Sequence, residues 1–247
     1  MAAEVTVSGK IDAGQLEDLV VANRVLYREK VLDGFGHVSV RSIVNPSQFL
    51  ISRNLAPGLV TEQDIVVMDL AGQLVAPQGT KTYMEVFIHA AIYESRPDVI
   101  AVVHSHSPNV VPFGVVKRPM KPVFHMSGFL GEGVPVFDIR TEAGETDLLI
   151  KSRPLGQALA RCLGKHCVVL MRGHGDTVTG ASLPEAVFRA VYTETNAKLQ
   201  LNAIQLDDEV TYLSAEEAKL TNALAANTLE RAWNLWKEET LAEMKHR

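Results

Sequence analysis

Tyr83-Met-Glu-Val-Phe-Ile-His-Ala-Ala-Ile-Tyr-Glu-Ser-Arg-Pro-Asp98, continued by Val99-Ile-Ala-Val-Val-His-Ser-His106, reads as a helix, a stop and a strand. Met84, Phe87, Ile88, Ala91 and Ile92 recur at three- and four-residue intervals, one face of a helix, so a helix is predicted over Tyr83 to Ser95. Arg96-Pro97 stops it, because the residue before a proline is pushed out of the helical region. The β-branched run that follows becomes alternating, as in a strand. Side chains two apart on a strand point to the same face, so His104 and His106 can approach one ion. A third histidine, His174, sits in Cys167-Val-Val-Leu-Met-Arg-Gly-His-Gly175, another apolar run read as a strand that ends at glycines. Two strand ends converging on one point suit a three-histidine metal site with open positions. One isolated histidine would read as a core or surface residue; this pair and the Gly-His-Gly together point to a metal.

Three neutral histidines around Zn²⁺, Mn²⁺ or Fe²⁺ leave room for water or a chelating substrate, which the ion polarises and orients. A nearby carboxylate would serve as fourth ligand or proton shuttle. Glu85 is the candidate, at the start of the helix that leads into the histidine strand. The helix dipole alone would also favour a carboxylate there. His89, four residues further on the same face, is expected to be a core histidine rather than a group behind the site.

The 247-residue chain is 47% apolar with a formal net charge of -5. That fits one large globular domain. Its charges are interspersed, and no basic run argues for nucleic acid or an anionic membrane surface. No apolar stretch reaches the roughly 18–20 residues of a membrane span. Met1 to Ile11 has no apolar signal region, so no secretory signal is expected. Cys162 and Cys167 lack C-x-x-C spacing, and two cysteines make no disulfide framework. These features describe a soluble protein of a reducing compartment, cytoplasmic by expectation.

Around the core stretch, residues 1–12 read as a loose leader. Gln15 to Leu32 has helical periodicity and ends at Asp33-Gly-Phe-Gly36. His37–Arg41, Phe49–Ser52, Ile65–Leu70 and Gln73–Val75 read as strands, the last two joined at Ala71-Gly72. Residues 107–135 are Gly- and Pro-rich, and Val134–Asp138 is a strand within a long connection. A helix is predicted over about Leu148 to Leu163. Ser182-Leu-Pro-Glu185 is a capping box with proline in the first turn, opening a helix to about Ile204. Ser214-Ala-Glu-Glu217 is a second box, starting a C-terminal helix over 214–247. Trp233 and Trp236 on it read as core or subunit-interface anchors. Several strand pairs look like hairpins, which favours one α/β domain with a mixed sheet over a doubly wound parallel one.

The Tyr83–His106 stretch resembles the metal-binding core of the class II aldolase/adducin family. Gly36-His-Val-Ser-Val-Arg41 resembles that family's early Gly-Asn-Val-Ser-x-Arg segment, and Arg172-Gly-His-Gly175 its downstream His-His-Gly segment. The resemblance covers roughly residues 15–205 in order, within a domain taken as 1–247. It implies an α/β/α sandwich around a mixed, largely antiparallel sheet, and a homotetramer with active sites between subunits. It also implies one divalent metal per subunit on His104, His106 and His174, with Glu85 transferring protons.

The departures from the family's sugar-phosphate enzymes choose the branch. Those enzymes hold phosphate with the early Asn, a Thr-Pro-x-Gly turn and a Ser-Ser pair before the glutamate. Here these are His37, Ser52-Arg-Asn-Leu-Ala-Pro-Gly58, and Tyr83-Met84, so a phosphorylated substrate is not expected. His104-Ser-His-Ser-Pro-Asn109, Val123-Phe-His-Met-Ser-Gly-Phe-Leu-Gly131 and Leu170-Met-Arg-Gly-His-Gly175 resemble instead the branch of hydroxy-pyridine-dicarboxylate and dihydroxyphthalate decarboxylases. The activity so implied is metal-dependent decarboxylation of an ortho-hydroxylated aromatic or pyridine dicarboxylate in aromatic catabolism. Glu85, His37 and His125 are the candidates for delivering the proton to carbon. Arg53, Lys81 and Arg172 are candidates for a second carboxylate, and each also reads as an ordinary surface charge. An aldolase or epimerase acting on a small unphosphorylated hydroxy-carbonyl compound would use the same metal site. An Fe²⁺ oxygenase is a further reading. In an adducin-like scaffold the histidines would have no reason to persist. His125 and the C-terminal helix are the expected elements crossing between subunits.

Overall fold

The computed structural model describes residues 11–245. The first ten residues of the expected leader, and His246, lie outside them. Asp12 is not loose: its carboxylate accepts the Gln15 N–H at 2.9 Å and caps α1 (Ala13–Arg28). This helix ends short of the expected Leu32 because Lys30 turns into the left-handed region, φ 61°. Four strands follow, β1 (His37–Arg41), β2 (Gln48–Ser52), β3 (Ile65–Asp69) and β4 (Leu74–Ala76), then α2 (Val86–Ser95) and β5 (Ala101–Ser105). The long connection holds only 3₁₀ turns at Val111–Gly114 and His125–Leu130 before β6 (Val136–Phe137). The chain continues through α3 (Arg140–Ala143), α4 (Arg153–Leu163), β7 (Val168–Met171), β8 (Gly175–Gly180), α5 (Leu183–Leu206), α6 (Ala215–Ala226) and α7 (Leu229–Lys245).

The strands form one sheet in the order β4-β3-β2-β1-β5-β8-β7-β6. Every pairing is antiparallel except β6 with β7. The expected mixed, largely antiparallel sheet is therefore present. Period-two alternation sorts the strand residues between two cores. Val38, Val40, Ala101, Val103 and Val178 pack with α1, α5 and α7 on one face. Phe49, Ile51, Val102, Val169 and Met171 pack with α2 and α4 on the other. His37, Ser39 and His104 share the parity of the second set, so they face α2. Trp233 and Trp236 are buried against the first core rather than left for another subunit.

Four expectations need correction. His174 does not end a strand: β7 stops at Met171, and residues 172–174 turn the chain into β8. That central strand was not anticipated, because Asp176-Thr-Val-Thr-Gly180 is too polar to read as buried, yet every residue in it is. Helix α2 starts at Val86, with Glu85 as the residue before it, not at Tyr83. Helix α4 starts at Arg153 rather than near Leu148, because Leu148 has φ 67° and Pro154 sits in the first turn. The C-terminal helix is two helices, broken after Ala226, although its opening capping box forms as expected. Among the described residues no helix is long and apolar enough to cross a membrane.

Candidate metal centre

Strand β5 delivers His104 at its end and His106 one residue beyond. Two glycines permit close packing around this strand end. A Cβ on Gly175 would lie 1.9 Å from the Ser105 carbonyl, and one on Gly36 would lie 2.9 Å from the His104 carbonyl. Gly36 also needs its positive φ of 81°. The tight β7–β8 turn then brings His174 against β5, and Glu85 arrives from the start of α2.

One ligand atom from each of Glu85, His104, His106 and His174 lies within 4.8 Å of all the others. Glu85 Oε2 is 3.7 Å from His104 Nε2 and 3.6 Å from His174 Nε2. The other carboxylate oxygen, Oε1, accepts the Ile150 N–H at 2.9 Å. Glu85 makes no cap bond to its own helix, so it is aimed at the histidines rather than serving the helix end. Burial raises its carboxyl above the usual range, opposed by His174 and the Ile150 N–H.

Backbone carbonyls set two of the imidazoles. His104 Nδ1 donates to the Asp176 carbonyl at 2.8 Å, and His174 Nδ1 donates to the Leu148 carbonyl at 3.0 Å. A carbonyl only accepts, so each ring in its neutral form turns an Nε2 lone pair to the common point. The left-handed Leu148 backbone is the strained element that aims its carbonyl there. His106 Nε2 lies 3.0 Å from His174 Nε2, a contact that needs a proton or a cation between the two nitrogens. His104 is held neutral, its basicity driven well down by burial first and then by His37, His174 and His106. His106 is lowered by burial and by His174.

The residues fit a divalent cation. His104 Nε2 is sealed from solvent with no hydrogen-bond partner, an arrangement that costs free energy until something accepts its lone pair. Three imidazoles and a carboxylate are a donor set suited to Zn²⁺, Mn²⁺ or Fe²⁺.

The remaining candidates are spread around this centre. His37 is buried directly across from His104 in the β1–β5 register, with ring centroids 5.1 Å apart. Arg53 is paired with Asp64 at 2.7 Å. Lys81 is exposed, and its carbonyl accepts the Asn54 N–H, so the Arg53 and Lys81 loops run side by side. Tyr83 ties them further, bonding Ser52 Oγ at 2.8 Å and donating to the Leu55 carbonyl at 2.6 Å, with its ring 4.6 Å from His37. Arg172 sits two residues before His174, its Nε 2.9 Å from Asp138 Oδ1. His125 is exposed and lines a separate cavity of about 540 Å³ formed with residues of α5, α6 and α7. Within one chain it does not join the histidine cluster described here. Phe113 and Phe129 are core residues.

Sequence reading missed a cleft of about 490 Å³ that opens onto His106 and is lined by Tyr27, Arg28, Lys30, Asp33 and Pro108. Phe35, 71% exposed, stands at 6.4 Å from the His106 ring on the adjoining loop. The only signal was the Asp33-Gly-Phe-Gly36 turn, which reads as a helix stop.

Residues 17–201 match the class II aldolase and adducin N-terminal domain. The chain belongs to this family. A decarboxylase named tropJ from Talaromyces stipitatus is 39% identical over 240 residues, covering 87% of this chain and 90% of that protein. A 3,4-dihydroxyphthalate decarboxylase from Arthrobacter keyseri is 30% identical over 238 residues, covering 90% and 92%. The crystal structure of an aldolase II superfamily protein from Pseudomonas syringae superposes with a TM-score of 0.79 over 96% of each chain, at 21% identity. The decarboxylase relatives match nearly the full length of this class II aldolase-type chain, so the likeness is not confined to the histidine motifs.

Proposed function

We propose that the protein is a divalent-metal-dependent decarboxylase of an aromatic or pyridine dicarboxylate that carries a hydroxyl ortho to the carboxylate it loses. The observation that carries this reading is the convergence of Glu85, His104, His106 and His174, in a chain whose relatives are named decarboxylases. A Zn²⁺ or Mn²⁺ ion, with Fe²⁺ the alternative, would be held by the three histidines and would supply Lewis acidity toward a chelating hydroxyl and carboxylate. In the reaction the bond between ring carbon and carboxylate breaks, CO₂ leaves, and its electron pair stays on the ring carbon. A proton then takes the vacated position. Glu85 is the donor best suited to deliver it, because burial already favours its protonated form.

The second carboxylate needs a cation. Arg172, beside His174, and the Arg53 and Lys81 loops that Tyr83 ties together are the groups assigned to it. Tyr83 also argues against a phosphorylated substrate: its hydroxyl is used by Ser52 and Leu55 rather than left for a ligand. His125 is assigned to a neighbouring subunit's site, in a cytoplasmic homotetramer serving aromatic catabolism.

The test is CO₂ release by Zn²⁺- and Mn²⁺-loaded protein offered dihydroxyphthalates and hydroxy-pyridine dicarboxylates, beside a chelated control. Metal-dependent CO₂ is expected. No CO₂, with cleavage or epimerisation of a small unphosphorylated hydroxy-carbonyl compound instead, would move the protein to the aldolase side of its family.

A further inference from the structure

Behind His104, on the α2 side of the sheet, four buried side chains form an unbranched hydrogen-bond chain that no step above uses. His37 Nδ1 lies 2.6 Å from His89 Nε2. His89 Nδ1 lies 2.6 Å from Ser39 Oγ, and Ser39 Oγ lies 2.8 Å from Tyr93 Oη. His37 and Ser39 are two apart on β1, and His89 and Tyr93 are four apart on α2, so each pair shares one face of its element. Ser39, His89 and Tyr93 are each at most 1% exposed. His89 is the buried core histidine that periodicity suggests, and both of its ring nitrogens are hydrogen-bonded.

The chain has two possible senses. Each neutral imidazole has one N–H and one lone pair, and each hydroxyl has one hydrogen. In the first sense Tyr93 donates to Ser39 and Ser39 donates to His89 Nδ1. His89 then carries its hydrogen on Nε2 and donates to His37 Nδ1, which leaves His37 with its own hydrogen on Nε2. In the second sense every link reverses, and the Tyr93 hydroxyl must turn to the Ile100 carbonyl, 3.4 Å away. That is outside the roughly 2.5–3.0 Å of a good O–H···O bond. The Arg41 guanidinium, 4.8 Å over the Tyr93 ring, further favours the phenol as a donor. Charging a ring does not relieve the choice, because burial pushes His89 down to about 3. The first sense makes every bond well.

His37 stands where such polarity matters. It is the cross-strand partner of His104, and it is close enough for His106 and His174 to act on its charge. Among the described hydrogen bonds its Nε2 makes none. We propose that Tyr93, Ser39 and His89 are positioning residues that lock His37 as the Nε2–H tautomer. His37 thereby donates a hydrogen bond to a substrate oxygen at the metal centre, as a fixed neutral donor rather than as a base. The role toward substrate rests on the decarboxylase reading; the tautomer does not.

The experiment is a long-range ¹H–¹⁵N spectrum of zinc-loaded, ¹⁵N-histidine-labelled protein, with His37 and His89 assigned from His37→Gln and His89→Gln. A single Nε2–H tautomer of His37 is expected. Ser39→Ala should mix the two tautomers, because His89 Nδ1 then has no hydroxyl to accept from, and so should His89→Gln, whose amide can donate to or accept from His37 Nδ1. Both should lower kcat about 2-fold, since an even mixture leaves about half of the protein with the donor, with KM and bound zinc unchanged. His37→Ala should lose roughly 10²–10³-fold in kcat, as when one oxyanion donor is removed. A His37 hydrogen on Nδ1 in the unaltered protein overturns the proposal. So does a pure Nε2–H tautomer with full kcat in both Ser39→Ala and His89→Gln. Should Ser39→Ala not fold, His89→Gln decides alone. If no offered acid yields CO₂, the decarboxylase reading falls, and the tautomer spectrum still decides the chain.

Discussion

Acid should destabilise the protein through His89, and His89→Gln should remove that contribution. In the folded protein burial holds His89 neutral down to about 3, against an ordinary value of 6.5. The unfolded chain takes up a proton near that ordinary value, and the folded one does not. Its stabilising contribution is therefore complete above about 6.5 and is lost progressively as pH falls toward 3. At about pH 5 the loss is about 1.5 pH units times 1.36 kcal/mol, or about 2 kcal/mol. Asp176 works in the opposite direction, since burial raises it to about 7, but it is common to both proteins and cancels in their difference. His89→Gln should cost about 1–3 kcal/mol at neutral pH, because it disrupts the buried bonds to His37 and Ser39. The assay is urea unfolding of both chelated proteins at one protein concentration, at about pH 7.5 and about pH 5. The stability gap should shrink by about 2 kcal/mol at the lower pH. A gap that stays constant to within about 0.5 kcal/mol would refute the argument that burial keeps His89 uncharged.

His104→Ala, His106→Ala and His174→Ala should each lose bound metal and turnover, measured by elemental analysis and CO₂ release; full metal content with full activity in any of them removes that residue from the centre. Glu85→Gln should keep the metal and lower kcat by roughly 10²–10⁴-fold. Normal turnover would reduce Glu85 to a residue that merely positions Ile150. Gly175→Ala should lower Tm and weaken metal binding together, at a cost of at least about 1–3 kcal/mol, because its Cβ would overlap the Ser105 carbonyl. An unchanged melting curve would mean that β5 and β8 can separate without loss.

The parts of this protein legible in its amino-acid order are those encoded by local periodicity. The apolar stripe of α2, the stop at Arg96-Pro97 and the alternation ending in His104 and His106 each follow from the geometry of one element. The capping box at Ser214 formed as written because a cap involves only neighbours in the chain. At Ser182 only half of it did: the serine caps the Glu185 N–H, while the Glu185 carboxylate accepts the Ala181 N–H instead. Glu85 was recognisable as a candidate, but its aim was not: the same residue can serve a helix end or a metal. What aims it is Ile150, far along the chain, whose N–H holds one carboxylate oxygen and turns the other toward the histidines.

Long-range contacts settled the rest. Strand β8 was invisible locally because its threonines and Asp176 are polar, and they are buried only because β5 and β7 flank them. The place of His174 in a turn, and the tautomers that Asp176 and Leu148 impose on His104 and His174, depend on carbonyls that no spacing rule reports. His89 carries the same lesson. Helical periodicity places it on the buried face of α2, as it would any core residue, and His37 and Ser39 arriving from β1 turn it into a link in a polar chain. Local order sets which face a side chain occupies. Which group meets it there is set by chain closure, since the partners are brought together only when the sheet and its helices pack.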